Sequence, residues 1–120
     1  MEDIRYRKFF SLWAEGKFFE AHEILESLWR GTKGEEREFY HGLIQLAASL
    51  VHFQKGNLAG AQALFRTASQ YLKPYLPNYR GVPLAKVLKD FQQFLEIVSK
   101  NPGQPSFAKE KLPCLNLSGY

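Results

Sequence analysis

The stretch EAHEILESLWR, residues 20–30, gathers an imidazole at His22, carboxylates at Glu20, Glu23 and Glu26, and an indole at Trp29. At about 100° per residue, Glu26 and Trp29 fall within about 40° of His22, on the arc that also carries Phe18 and Leu25. An imidazole and a carboxylate one turn apart therefore sit inside an apolar stripe. A second set follows downstream, where His41, Gln45, Ala48 and His52 share one helical face. A solvent-facing stripe would carry Lys or Glu, so neutral hydrogen-bonding groups predict a buried polar seam. Folding the two segments back on each other about the glycines near 31–34 pairs positions whose numbers sum to about 65. His41 then lies between His22 and Glu26, and Gln45 lies level with Glu20.

Two histidines and a carboxylate are an adequate ligand set for a divalent ion such as zinc or iron. One expectation is thus a metal on His22, Glu26 and His41, with Glu23 as the general base of a hydrolase-like reaction. The spacing is not diagnostic, because HEILE is not the H-E-x-x-H of zinc proteases. The same groups also make a sound structural device, each satisfying the other's desolvated atoms. No nucleophile motif or phosphate loop accompanies them, so the reading leans away from an enzyme. The favoured expectation is a binding or interaction module for a protein or small-molecule partner. It needs no cofactor, and its site is lined by His22, Glu23, Glu26, Trp29, Gln45 and His52.

The elements that must position these groups are helices, since apolar residues recur at three and four spacing and no period-two run appears. The first is expected from Ile4 to Glu15, stopped by Gly16, and the second from Phe18 to Arg30, stopped by Gly31. Thr32 and Glu35 stand at capping-box spacing and are expected to open a third helix reaching Lys55. Asn57 is placed to N-cap a fourth, Leu58 to Leu72, ended by Pro74. KPYLPNYRGVP is a turn-rich connector with room for one short helical turn, and Pro83 suits the start of a fifth helix reaching Ser99. These predict a single all-α domain over 1–100, a bundle of about five helices built from antiparallel hairpins. An extended or flexible tail is expected over 101–120.

FSLWAEGKFFEAHEIL at 10–25 aligns with LVHFQKGNLAGAQALF at 50–65, matching Gly16 to Gly56 and Ala21 to Ala61. This is the logic of tetratricopeptide-type helix pairs at a spacing of 40. Two copies are too few for a solenoid, so a compact bundle is expected.

The chain has 120 residues and a net charge of +4, with one cysteine, which rules out an internal disulfide. The lone cysteine, the acidic start of MEDIRYRKFF and the lack of a bilayer-length apolar run point to the cytoplasm, or to the plastid stroma in a eukaryote, and away from a membrane. From Phe39 to Lys89 there are six basic residues and no acidic one, Lys55, Arg66, Lys73, Arg80, Lys86 and Lys89. With Tyr71, Tyr75 and Tyr79 interleaved, segment 39–89 offers a third expectation, RNA binding. Against it, the basic residues are scattered singly, and the fold is expected to set them beside the acidic first third.

GKFFEAHEILESLWR followed by FYHGLIQLAASLVHFQKGN resembles a family of small all-helical prokaryotic and plastid proteins, catalogued as a conserved domain of unknown function. The resemblance covers roughly Leu12 to Ala61. It falls on Glu20, His22, Glu23, Glu26 and Trp29, then on Gly42, Gln45, Ala47, Ala48 and His52; His41 precedes the second motif and lies outside the pattern. The resemblance implies a helical bundle and no established activity.

Overall fold

The computed structural model describes residues 3–100 and 112–115. Five α-helices run α1 (Ile4–Ala14), α2 (Phe18–Arg30), α3 (Glu36–Gln54), α4 (Leu58–Leu72) and α5 (Leu84–Lys100), with a 3₁₀ turn at Lys73–Tyr75. No β-strand occurs among the described residues. The bundle is all-α.

The internal repeat is reproduced bond by bond. At the end of α1, Lys17 N donates to Leu12 O and Gly16 N to Trp13 O, both at 2.9 Å. At the end of α3, Asn57 N donates to His52 O at 2.9 Å and Gly56 N to Phe53 O at 3.0 Å. These are the paired bonds of a Schellman turn, and they require the left-handed φ of +76° and +80° found at Gly16 and Gly56. Each turn sends the chain back antiparallel, making the hairpins α1–α2 and α3–α4. In the second, the Asn57 side chain also accepts from Gly60 N at 2.9 Å, the N-cap its residue type predicts.

The expected capping box before α3 does not form. Thr32 Oγ1 instead donates to Leu28 O at 2.7 Å, tying the loop to the last turn of α2. α3 starts at Glu36, after a cap residue Glu35 whose side chain makes no capping bond.

α3 lies between α2 and α4 and packs most extensively on α4. Small residues allow that approach. A Cβ added to Gly42 would stand 2.5 Å from the Leu72 side chain, and Ala47, Ala61 and Ala68 are fully buried. Buried Ser49 adds a hydrogen bond of 2.6 Å to Ala61 O. Around this contact runs an aromatic core in which Phe9, Phe10, Phe18 and Phe91 lie near or against Trp13. α5 closes over it through Phe91, stacked on Phe65 at 5.0 Å, and Phe94, edge-on to Phe53 at 5.0 Å.

The connector before α5 makes a tight turn at Arg80 and Gly81, whose φ of +47° and +82° are both positive, as in type I′ turns. The left-handed conformation costs a non-glycine residue about 1 kcal/mol or more. Tertiary contacts hold Arg80 there: Tyr6 Oη donates to Arg80 O at 2.9 Å, and Arg80 Nη1 donates to Tyr40 Oη at 2.6 Å.

Residues 112–115 pack on the body. Pro113 and Leu115 are buried, and Trp13 Nε1 donates to Pro113 O at 3.0 Å. The rest of the expected tail, 101–111 and 116–120, lies outside the described residues.

Candidate functional site

α2 leaves His22, Glu26 and Trp29 partly buried beside the stripe of Ala21, Leu25 and Leu28 that it anchors in the core, and Trp29 reaches α3. His22 Nε2 and Glu26 Oε2 are 3.3 Å apart, and the other oxygen of Glu26 is taken by Arg30, one turn on. The His22 and Glu26 side chains are 27% and 28% exposed, so the pair lies at the edge of the interface. Their partners come from α2 itself. Glu20 and Glu23 are exposed, and Phe19, 52% exposed, stacks near the His22 ring at 6.1 Å.

On α3, His41 is flanked by two aromatic rings, Trp29 of α2 at 5.0 Å and Tyr71 of α4 at 4.2 Å. Gln45 Nε2 lies 3.2 Å from His41 Nε2. An amide N–H meets an acceptor there, so a neutral ring carries its proton on Nδ1. That nitrogen is 3.9 Å from Glu38 Oε2. The Arg37 guanidinium lies over the Trp29 ring at 4.3 Å, and its Nη1 also donates to Trp29 O and Thr32 O. Arg37, Trp29, His41 and Tyr71 thus make a chain of contacts across three helices, with the ring pairs tilted by 40° and 35°.

The metal triad is not assembled. Among the described residues no group of three His, Cys, Asp or Glu side chains is arranged to hold an ion. The physical reason is register. α3 starts at Glu36 after a long loop, so Trp29 lies against His41 and Gln54 reaches Gly16 O. That alignment is about one helical turn from the expected one and sets His22 level with Ala48. An indole occupies the place beside His41 where Glu26 was expected, and Glu26 turns to Arg30. The cross-hairpin partnership of His22 and Glu26 with His41 and Gln45 fails for the same reason.

His52 stands apart from this cluster. Its Nδ1 is 3.0 Å from Asn57 Nδ2, and the same Asn57 caps α4. His52 therefore orients a capping residue.

Two side-chain nitrogens in the seam, His22 Nδ1 and Trp29 Nε1, are buried and make no hydrogen bond among the described residues. Both belong to α2 and sit two turns apart.

Sequence reasoning missed Arg37 and Glu38, and read Tyr71 only as part of the RNA-binding segment. Glu38 and His41 carry a local signal, the i,i+3 spacing of EFYH. Arg37 and Tyr71 carry none, since their meeting with Trp29 and His41 depends on loop geometry and on the α3–α4 register. The structure also opens a cleft of about 520 Å³ between α4 and α5, with Phe65 and Leu95 in its lining and Arg66 and Glu96 on opposite helices. No motif pointed to it.

Part of the basic segment is engaged within the fold. Arg80 binds Tyr40, and Lys86 pairs with Asp90 at 2.7 Å. Tyr75 and Tyr79 pack on Phe39 at 5.6 and 4.8 Å, and burial is the main influence pushing both phenols up. These tyrosines brace the body.

Residues 6–64 match DUF309, a domain of unknown function. The DUF309 match runs from Tyr6 in α1 to Leu64 in α4 and contains both sequence motifs, which is the resemblance those motifs carry. It includes His22, Glu26, Trp29, His41, Gln45 and His52 and stops short of Tyr71. An uncharacterized protein of Aquifex aeolicus is 33% identical over 94 residues, covering 78% of this chain and 28% of the relative. The uncharacterized protein YpuF of Bacillus subtilis is 40% identical over 57 residues, covering 47% of this chain and 33% of the relative. The chain therefore spans a third or less of the length of these relatives. Among the described residues, no helix is long and apolar enough to cross a membrane.

Proposed function

We propose that the protein is a non-catalytic binding module, and that a segment of a partner protein lies along α3 between α2 and α4. The observation that carries this reading is a partly buried polar seam that holds two unpaired side-chain nitrogens among the described residues. His41, Gln45, Ala48 and His52 are only partly buried along α3, while His22 Nδ1 and Trp29 Nε1 are buried without partners. A buried donor left unpaired costs about 1–3 kcal/mol, and an interface that supplies an acceptor regains it. Side-chain amides, imidazoles and ring faces suit a peptide backbone, which offers alternating donors and acceptors. Exposed Phe19 at one end and Tyr71 at the other add apolar contact area of the kind that dominates interfaces. With a single cysteine, the module suits a reducing compartment such as the cytoplasm.

The test is affinity capture from lysate of the source cell at physiological salt. It compares the parent, a Trp29→Phe/Gln45→Glu variant and a Lys89→Glu control on α5. The expected result is a partner held by the parent and the control and lost by the seam variant. A folded seam variant that retains the partner, or an empty capture by the parent, overturns the reading.

A further inference from the structure

Trp13 sits in the centre of the aromatic core at 4% exposure, and its indole N–H is satisfied by the carbonyl of Pro113, a hundred residues further on. Pro113 and Leu115 are buried, with Leu115 at 1%, while Cys114 between them is exposed. Leu112 packs at the margin of the same core. Alternate side chains thus point inward from a short non-helical strap, as they do along an extended peptide. Cys114 lies within electrostatic reach of Lys86, which sets the strap beside the first turn of α5. Every other buried apolar residue belongs to a helix, Val82 excepted.

A fixed indole donor meeting a main-chain carbonyl, with recesses for side chains on either side, is how extended peptides are recognised. Trp13 and the aromatic rings around it belong to helices α1, α2 and α5. The strap is joined to them covalently only through residues 101–111, after the end of α5.

We propose that the recess on Trp13 is a receptor for a short Leu-Pro-x-Leu peptide, occupied in this chain by its own Leu112–Leu115. A peptide of the same spacing from another protein competes for the recess when the strap releases. While Leu112–Leu115 is seated, a peptide from another protein must compete with an intramolecular occupant, so micromolar peptide is excluded. The recess lies on the α1 and α5 side and involves none of the α3 seam, so its test is independent of the function proposed above.

The experiment uses the full chain and a labelled peptide of sequence 109–117 carrying Cys114→Ser, titrated by fluorescence anisotropy. It compares the native protein with a full-length Leu115→Asp variant, whose own strap is a poor competitor. The expected result is binding to Leu115→Asp at least tenfold tighter than to the native chain, and none by a scrambled peptide. A Leu115→Asp protein with native helical circular dichroism and no peptide binding overturns the proposal. Should that variant fail to fold, hydrogen exchange on the native chain decides. A protection factor of the Trp13 indole proton, taken against its own intrinsic rate, at least tenfold below those of the Leu43 and Leu46 amides shows release of the strap without unfolding of the core. Equal protection factors overturn the proposal.

Discussion

Trp13 and Trp29 occupy matching roles in the repertoire of an amphipathic helix, yet their surroundings differ in kind. Trp13 is enclosed by phenylalanines and its single donor is paired with Pro113 O. Trp29 lies under Arg37 and against His41, is only partly buried, and has its donor buried without an acceptor. On the Trp13 side, polar atoms are satisfied by long-range contacts that hold the fold together. On the Trp29 side the imidazoles pair only with groups within five residues in sequence, Arg37 reaches main-chain carbonyls, and among the described residues two ring nitrogens find no partner. The first arrangement is completed by the chain's own Pro113. The second leaves bonding capacity at an interface, and for that reason the seam is the proposed partner site.

The comparison is tested most strongly by truncating both indoles. Trp13→Ala removes a fully packed ring and leaves Pro113 O unpaired, with an expected cost of about 3–5 kcal/mol in urea unfolding. Trp29→Ala is expected to cost less than half as much, and equal losses would erase the distinction. Next comes the close α3–α4 contact, where Gly42→Ala drives a Cβ into Leu72. That overpacking is expected to destabilise by about 1–3 kcal/mol, seen as a fall in the urea midpoint.

A finer test keeps the ring and removes only the donor. Trp13→Phe breaks the bond to Pro113 and is expected to destabilise by about 1–2 kcal/mol. Trp29→Phe removes an unpaired buried donor and is expected to be neutral or slightly stabilising. A clear loss of stability in Trp29→Phe would mean that its indole is paired in solution. Glu26→Ala is a weaker probe still. Its partners are one turn away on the same helix, so the expected cost is only a few tenths of a kcal/mol per pair in thermal unfolding. A loss of 1 kcal/mol or more would restore the buried, cross-hairpin role read from the helical face.

The smallest effect is at the start of α1. Asp3 accepts from Arg5 N and from the Arg5 side chain, which holds its carboxyl down to about 2 from a usual 3.8. The ionised form is favoured in the folded state, so its stabilisation is complete above about pH 4 and fades as pH falls through about 2. Because the group is exposed, the contribution is well under about 1 kcal/mol. Parent and Asp3→Ala should differ slightly in melting temperature at pH 6 and converge by pH 2.

Much of the architecture was legible along the chain. Helix ends follow from local chemistry, a glycine free to adopt positive φ at 16 and 56 and an asparagine able to cap at 57, and no distant residue is needed to read them. The repeat was legible because both turns obey the same local rules. Placement of His22, Glu26 and Trp29 together on one partly buried stripe also followed, since a stripe depends only on the helical period. The capping box at Thr32 failed because α3 begins further on, at Glu36, so no helical N–H is presented to the Thr32 oxygen and its hydroxyl donates to Leu28 O.

Partnership across helices was a different matter. One turn of slippage between α2 and α3 exchanges Glu26 for Trp29 beside His41, and that slippage is set by a five-residue loop and by how large side chains interdigitate. Arg37 over Trp29, Tyr71 against His41, and Pro113 under Trp13 all join residues whose separation in sequence carries no signal. Local backbone preferences act within a turn or two of a helix, so they are written in consecutive residues. Register and long-range pairing are settled by the packing of the whole core, and only the folded molecule shows which donors it leaves unsatisfied.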